Sequence, residues 1–220
     1  MENILIIGSS GHAKVIIDIV EKQNLYKIIG LLDKFKKLGE KTLNYNILGS
    51  EDDIPKLMLE YNITGIIVAI GDNFVRSKVV SNVKTIAPNI KFVTAIHPNS
   101  SIGKNSNVGP GTVIMSGVSV NPNCNISEHC ILNTNSSLDH DSNMGKFSSL
   151  APHACTGGDV KIGDYSAIGI NATILHRKII GEHSVIGASA LVNKDIGSFA
   201  IAYGTPATVI RIRVKGEKYL

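Results

Sequence analysis

Residues 132–150 read Leu132-Asn133-Thr134-Asn135-Ser136-Ser137-Leu138-Asp139-His140-Asp141-Ser142-Asn143-Met144-Gly145-Lys146-Phe147-Ser148-Ser149-Leu150, and an aliphatic side chain returns at every sixth position. Upstream, the same phase gives Ile96, Ile102, Val108, Ile114, Val120 and Ile126. Downstream it resumes at Ile162 and continues through Ile168, Ile174, Ile180, Ile186 and Val192. Of the seventeen positions so reached, only Thr156 is not aliphatic. A helix needs apolar spacing near 3.6 and a strand needs 2, so a period of six fits neither. It fits a parallel β-helix, in which each short strand turns one aliphatic inward to stack on its equivalent in the next coil.

The neighbouring positions support this phase. Two residues before each aliphatic the chain is mostly small, as at Ser100, Cys124, Cys130, Ser136, Ser148 and Ala172, which suits a narrow interior. One residue after it Gly recurs, at 103, 109, 145, 157, 163, 169, 181 and 187. These glycines are expected to make the bends at the corners. Within 96–192 the only Phe or Tyr residues are Phe147 and Tyr165, because the interior has no room for rings. Cys124 and Cys130 read as small interior residues and not as redox groups.

The first ninety residues have another rhythm. Asn3-Ile4-Leu5-Ile6-Ile7 is a buried strand running into Gly8-Ser9-Ser10-Gly11-His12-Ala13 and an apolar-periodic helix. Strands follow at 26–32, 65–70 and 91–95, with helices near 52–61 and 74–86 between them. Such alternation predicts a small parallel sheet of Rossmann type. The Gly-rich turn is G-x-x-G-x-A, which places bare backbone N–H groups at a helix N-terminus where phosphate is favoured. Asp33 ends the second strand, where an acidic residue commonly meets a nucleoside. The alternative is that the glycines only make a tight turn. The predicted organisation is therefore an α/β Rossmann-like domain over residues 1–94, to which the resemblance drawn below adds nucleotide-sugar binding. An all-β left-handed parallel β-helix with a C-terminal tail follows over 95–220.

Composition narrows the function classes. The 22 basic and 18 acidic residues leave a net charge of +4, spread in small groups, so no nucleic-acid footprint is expected. Three cysteines without a C-x-x-C pair predict neither a disulfide framework nor a structural zinc site. No stretch reads as a signal peptide or a membrane span, so a cytoplasmic protein without membrane partners is expected. None of the seven histidines pairs at a spacing of five residues, which argues against the three-histidine zinc site of one β-helix enzyme class. His140 should point outward from the coil. A carboxylate beside its imidazole can fix the tautomer and raise the basicity, as a general base requires. A merely solvated histidine is the competing reading.

The ordered set of motifs then becomes specific. Gly8-Ser9-Ser10-Gly11-His12, Leu32-Asp33-Lys34, Ala69-Ile70-Gly71-Asp72-Asn73 with Arg76, Asn133-Thr134 before His140-Asp141, Gly158-Asp159-Val160-Lys161-Ile162-Gly163 and Gly204-Thr205-Pro206-Ala207 together resemble the PglD/NeuD-like family of sugar acetyltransferases. The resemblance covers essentially the whole chain. It implies a cytoplasmic homotrimer that holds a nucleotide-linked amino sugar on the N-terminal domain and acetyl-CoA between adjacent β-helices, with no metal. It makes His140 the catalytic base and Asp141 its orienting acid, with Asp139 as a competitor for that role. Gly11, His12, Asp33, Lys34, Gly71, Asn73, Arg76 and Asn133 are implied on the substrate side. His153, Gly158, Ile170 and Ala188 are implied on the acetyl-CoA side. Many members carry a second His nine residues after the catalytic one; here that position is Ser149, with His153 nearby. The expected reaction is N-acetylation at C4 of a nucleotide-linked amino-deoxy sugar by direct transfer. The rivals are O-acetylation of a sialic-acid-like sugar and a non-catalytic trimeric scaffold that binds sugar nucleotides.

Overall fold

The computed structural model describes residues 1–219, which divide into two units. The first comprises Met1–Gly71 and Val75–Pro98; the second comprises Asp72–Phe74 and the chain from Asn99 onward.

In the first unit, β1 (Glu2–Ile7), β2 (Tyr26–Leu32), β3 (Lys41–Thr42), β4 (Tyr45–Gly49), β5 (Ile63–Val68) and β6 (Lys91–Phe92) form one sheet in the order β3-β4-β2-β1-β5-β6. All neighbours are parallel except the short β3–β4 hairpin, which sequence reading missed. Central β1 is a run of aliphatics whose Ile4, Leu5 and Ile6 are fully buried, as expected of a strand covered on both faces. Helix α1 (Gly11–Gln23) buries Ala13, Ile16, Ile17, Ile19 and Val20 and stops at Asn24, a left-handed residue that caps its C-terminus. Helix α2 (Ile54–Tyr61) opens with Pro55 in its first turn and also ends on a left-handed Asn, Asn62. Helix α3 spans Asn73–Ile86.

The second unit is the predicted left-handed parallel β-helix. Its two-residue strands repeat every six residues and pair in parallel with the strand eighteen residues on, so three strands complete one coil. The stacked aliphatics of the central coils line the interior: Ile114, Val120, Ile126, Leu132, Leu138, Met144 and Leu150 are each at most 1% exposed. Cys124 and Cys130 are buried beside them, each sulfur within 3.1 Å of a carbonyl of the next coil. An antiparallel hairpin, Ala200–Gly204 with Ala207–Ile212, closes the end.

The role expected for the glycines needs correction. From Ile102 to Ile186, bends are made three residues after each position of the series, by residues in the left-handed region that are mostly not Gly. They fall in three columns of eighteen-residue spacing. One column is Asn105, Asn123, Asp141, Asp159 and Arg177. The second is Gly111, His129, Phe147, Tyr165 and His183, and the third is Gly117, Asn135, His153, Asn171 and Ser189. The recurrent glycines one residue after the aliphatic have another cause. A Cβ on Gly103, Gly109, Gly145, Gly163 or Gly181 would come within 2.3–2.6 Å of the backbone of the next coil. Close stacking of coils excludes a side chain there. The second column also shows where the rings go. His129, Phe147, Tyr165, His183 and Phe199 stack outside the prism at centroid spacings of 4.4–5.4 Å.

Candidate active site

In the first unit, Gly8 has φ +105°, and a Cβ on it would lie 2.7 Å from the Ala69 carbonyl oxygen, so only Gly fits this β1–α1 turn. Gly11 differs: a Cβ there would meet nothing within 4 Å, which leaves the helix N-terminus open to approach. Beside it lies a cleft of about 340 Å³ lined by Gly8, Ser9, Ser10, Asp33, Lys34, Phe35, Glu51, Ile70 and Gly71 among others. The Asp33 carboxylate is fixed from two sides, by the Ser9 hydroxyl at 2.5 Å and the Phe35 amide at 2.9 Å. Phe35 is 86% exposed at the cleft with Lys34 Nζ 5.1 Å from its ring centre; sequence reading did not single it out.

Other predicted substrate residues lie elsewhere. Half-buried His12 does not line the cleft, and its Nε2 meets no hydrogen-bonding partner among the described residues. Desolvation, and secondarily the charge of Arg76, hold its pKa down to about 4. Arg76 is buried and donates from Nη1 to the carbonyls of Ile70 and Gly71, which fixes the β5–α3 turn. Asn73 is also buried, its side chain donating to Ser149 Oγ and to the carbonyls of Tyr165 and Ser166. Both side chains thus do structural work in their own units. Ser149, at the position of the second family histidine, is one of those anchors.

On the β-helix, His140 and Asp141 sit at the first corner column with side chains 57% and 53% exposed. His140 Nδ1 lies 2.7 Å from Asp141 Oδ2, and the other carboxylate oxygen, Oδ1, accepts from Asn123 Nδ2 at 3.2 Å. Asn123 in turn accepts from Asn105 at 3.3 Å. These residues share the eighteen-residue spacing, a signal that was present in the sequence but unread. Asp139, the competitor, does not take the ring: its Oδ1 accepts from the His140 backbone N–H at 2.8 Å and from Asn121. The hydrogen bond to Asp141, reinforced by the charge of Asp139, raises the His140 pKa above its ordinary value. The same bond, with that from Asn123, lowers Asp141. The imidazole lies across Gly158 one coil on, where a Cβ would come within 2.5 Å of both Cε1 and Nε2. An open groove of about 520 Å³ is lined by His140, Asp141, Gly158, Asp159, His176 and Arg177.

The residues implied for acetyl-CoA fall on two edges of the prism. Gly158 is in register with His140 at the first corner. His153 occupies the third corner, and Ile170 and Ala188 immediately precede its left-handed residues Asn171 and Ser189. Ile170 is 56% exposed, Ala188 and His153 are exposed too, and one chain does not bring this edge to His140. Asn133 lies apart, its Oδ1 accepting from the Thr134 amide in a local turn. Among the described residues there is no group of His, Cys, Asp and Glu able to hold a metal ion. None of their helices is long and apolar enough to cross a membrane.

Residues 3–83 match the family described as PglD N-terminal domain. The chain is 30% identical over 117 residues to UDP-N-acetylbacillosamine N-acetyltransferase of Bacillus subtilis strain 168. The match covers 53% of this chain and 52% of that one, so the chain spans about half the length of this curated relative. It is 28% identical to PerB from Caulobacter crescentus, solved with CoA and GDP-perosamine, with a TM-score of 0.88 over 95% of this chain and 97% of that one. The acetyltransferase domain of PglB from Neisseria gonorrhoeae FA1090, solved with acetyl coenzyme A, shares the fold at 24% identity. Its TM-score is 0.86, over 95% of this chain and 99% of that one. Over residues 3–83 the chain is thus similar to the PglD N-terminal domain, and over nearly its whole length it shares the fold of PerB.

Proposed function

We propose that this protein transfers the acetyl group of acetyl-CoA to an amino group, at C4, of a nucleotide-linked amino-deoxy sugar. The observation that carries the reading is the His140–Asp141 pair laid over Gly158 in an open groove. With Nδ1–H donated to Asp141, the Nε2 lone pair of neutral His140 is free to accept a proton. The sugar amine attacks the thioester carbonyl carbon and His140 takes the proton it loses. The C–S bond breaks as the tetrahedral intermediate collapses, and the CoA thiolate leaves and is protonated. No covalent enzyme intermediate is needed, so the cysteines have no catalytic duty. Orientation of the two substrates supplies much of the rate.

The cleft bounded by Asp33, Lys34 and Phe35 suits a nucleotide. Asp33 offers a fixed acceptor for hydroxyls, Phe35 an exposed ring for a base, and Gly11 an open helix N-terminus for phosphate. Exposed Ile170 and Ala188 offer the apolar strip that a pantetheine arm needs. Because that strip and His140 lie on different edges, we assign the complete site to two neighbouring copies of a homotrimer. The Bacillus subtilis relative is named an N-acetyltransferase of UDP-N-acetylbacillosamine and a solved Caulobacter crescentus structure a perosamine N-acetyltransferase, and these amino-sugar names favour nitrogen over oxygen as the acceptor.

The test is thiol release from acetyl-CoA with UDP-, GDP- and dTDP-linked 4-amino sugars and with free sialic acids, alongside His140→Ala. Turnover of a nucleotide amino sugar that falls by about 100-fold or more in the variant is expected. Turnover of sialic acid alone would assign O-acetylation, and undiminished turnover in His140→Ala would remove His140 as the base.

A further inference from the structure

The one exception in the aliphatic series, Thr156, lies one coil beyond Leu138, next to the catalytic corner. On this face of the prism the residue after each aliphatic donates its backbone N–H to the carbonyl of the next coil's aliphatic. Gly103 donates to Val120 at 2.7 Å, Asn121 to Leu138 at 2.9 Å and Gly157 to Ile174 at 2.8 Å. At Asp139 the pattern changes, and its N–H donates to the Thr156 side-chain Oγ1 at 3.0 Å. The strand pairing loosens at the same place. Ser137 pairs with Cys155 alone, whereas the other strand pairs of this face are matched at two residues each. Thr156 is buried at 7% exposure, so the hydroxyl is a fixed feature of the interior wall.

We propose that Thr156 is a positioning residue for His140: its hydroxyl replaces a backbone acceptor, and so sets the path of Asp139 and His140 that lays the imidazole across Gly158. A polar atom in a column of aliphatics gives up apolar packing, and it is retained where it meets a backbone donor. The donor is that of Asp139, whose carboxylate holds the His140 N–H at 2.8 Å. The hydroxyl therefore acts on the base through one residue. An aliphatic there would return this step to the regular ladder and draw the His140 backbone with it.

This inference rests on His140 being the base, and the test separates the two. Thr156→Val restores the rule of the other sixteen positions. It is expected to fold at least as stably as the wild type while kcat falls about tenfold or more. Thr156→Ser, which keeps the hydroxyl, should stay close to the wild-type rate, and Thr156→Ala should behave as Val. Titration of the His140 imidazole by NMR reads the same geometry without turnover. The charged or titratable groups facing that ring are Asp139, Asp141 and Asp159, with His176 and Arg177 also lining the groove. In Thr156→Val the midpoint should move down towards the ordinary histidine value while that in Thr156→Ser does not. Wild-type kcat and an unmoved midpoint in Thr156→Val would overturn the proposal, as would equal impairment of Val and Ser. A wild-type enzyme without turnover would defeat the proposed reaction, and the titration would still decide the role of Thr156.

Discussion

At the scale of single residues, the exposed position of His140 makes hydrogen bonding the source of its orientation. The corner is open to water, so no packed wall fixes the ring. Order comes from Asp141 at Nδ1, Asn123 behind that carboxylate and the bare surface of Gly158 beneath. The raised pKa of His140 gives a pH prediction with a definite sign. With His140 as the proposed base, activity requires the neutral imidazole and should fall as pH drops through a midpoint raised above the ordinary histidine value. Asp141→Asn removes the charge that stabilises the imidazolium, so the acid limb of kcat/KM should move to lower pH. The plateau should also fall about tenfold or more, since the ring loses its orienting partner. A pH–rate profile of the two proteins checks both. An unmoved limb would mean that Asp141 does not govern the base. The wall of this groove also includes His176 and Arg177, which no sequence motif marked, because their role comes from standing one coil beyond Gly158.

At the scale of elements, the coils and the first helix each make a separable prediction. Gly163→Ala puts a Cβ about 2.5 Å from the Glu182 nitrogen, in backbone that cannot yield without spreading two coils. A loss of about 1–3 kcal/mol in urea unfolding is expected. Asn171→Gly sits at a left-handed corner where Gly is at ease, and should cost well under about 1 kcal/mol. The reverse ranking would contradict the stacking argument. In α1, His12 has a native pKa near 4, below the ordinary value of 6.5. Between those limits the unfolded chain binds a proton that the folded one refuses, so stability falls as pH drops from about 6.5 towards 4. His12→Gln should abolish that part of the pH dependence, up to about 3 kcal/mol, in urea unfolding measured across the window.

At the scale of the whole molecule, the two edges of the β-helix decide how active sites are counted. If His140 of one copy works with the Ile170–Ala188 edge of its neighbour, two differently damaged chains can complement each other. His140→Ala and Ala188→Trp, each inactive alone, should on co-assembly recover about a quarter of wild-type thiol release per site, the share of interfaces with two intact edges. No recovery from mixed assemblies would place the whole site on one chain.

What the sequence determined by itself is the repeat. A period of six, small interior neighbours and excluded rings are each imposed by a narrow prism, and every coil restates them. The α/β rhythm of the first unit was equally legible, because a buried parallel strand reads as a continuous aliphatic run such as Ile4–Ile7. The pairing of His140 with Asp141 was an expectation of the motif. That Asp141 and not Asp139 takes the ring was decided by the left-handed corner, which turns adjacent side chains to meet. Tertiary structure alone assigned the recurrent glycines to coil contact and sent Asn73 and Arg76 to structural anchorage. It also gave Thr156 its meaning. The aliphatic period is a local pattern that one chain segment carries, whereas each of these three depends on what stands across from a residue in the next coil or the neighbouring turn.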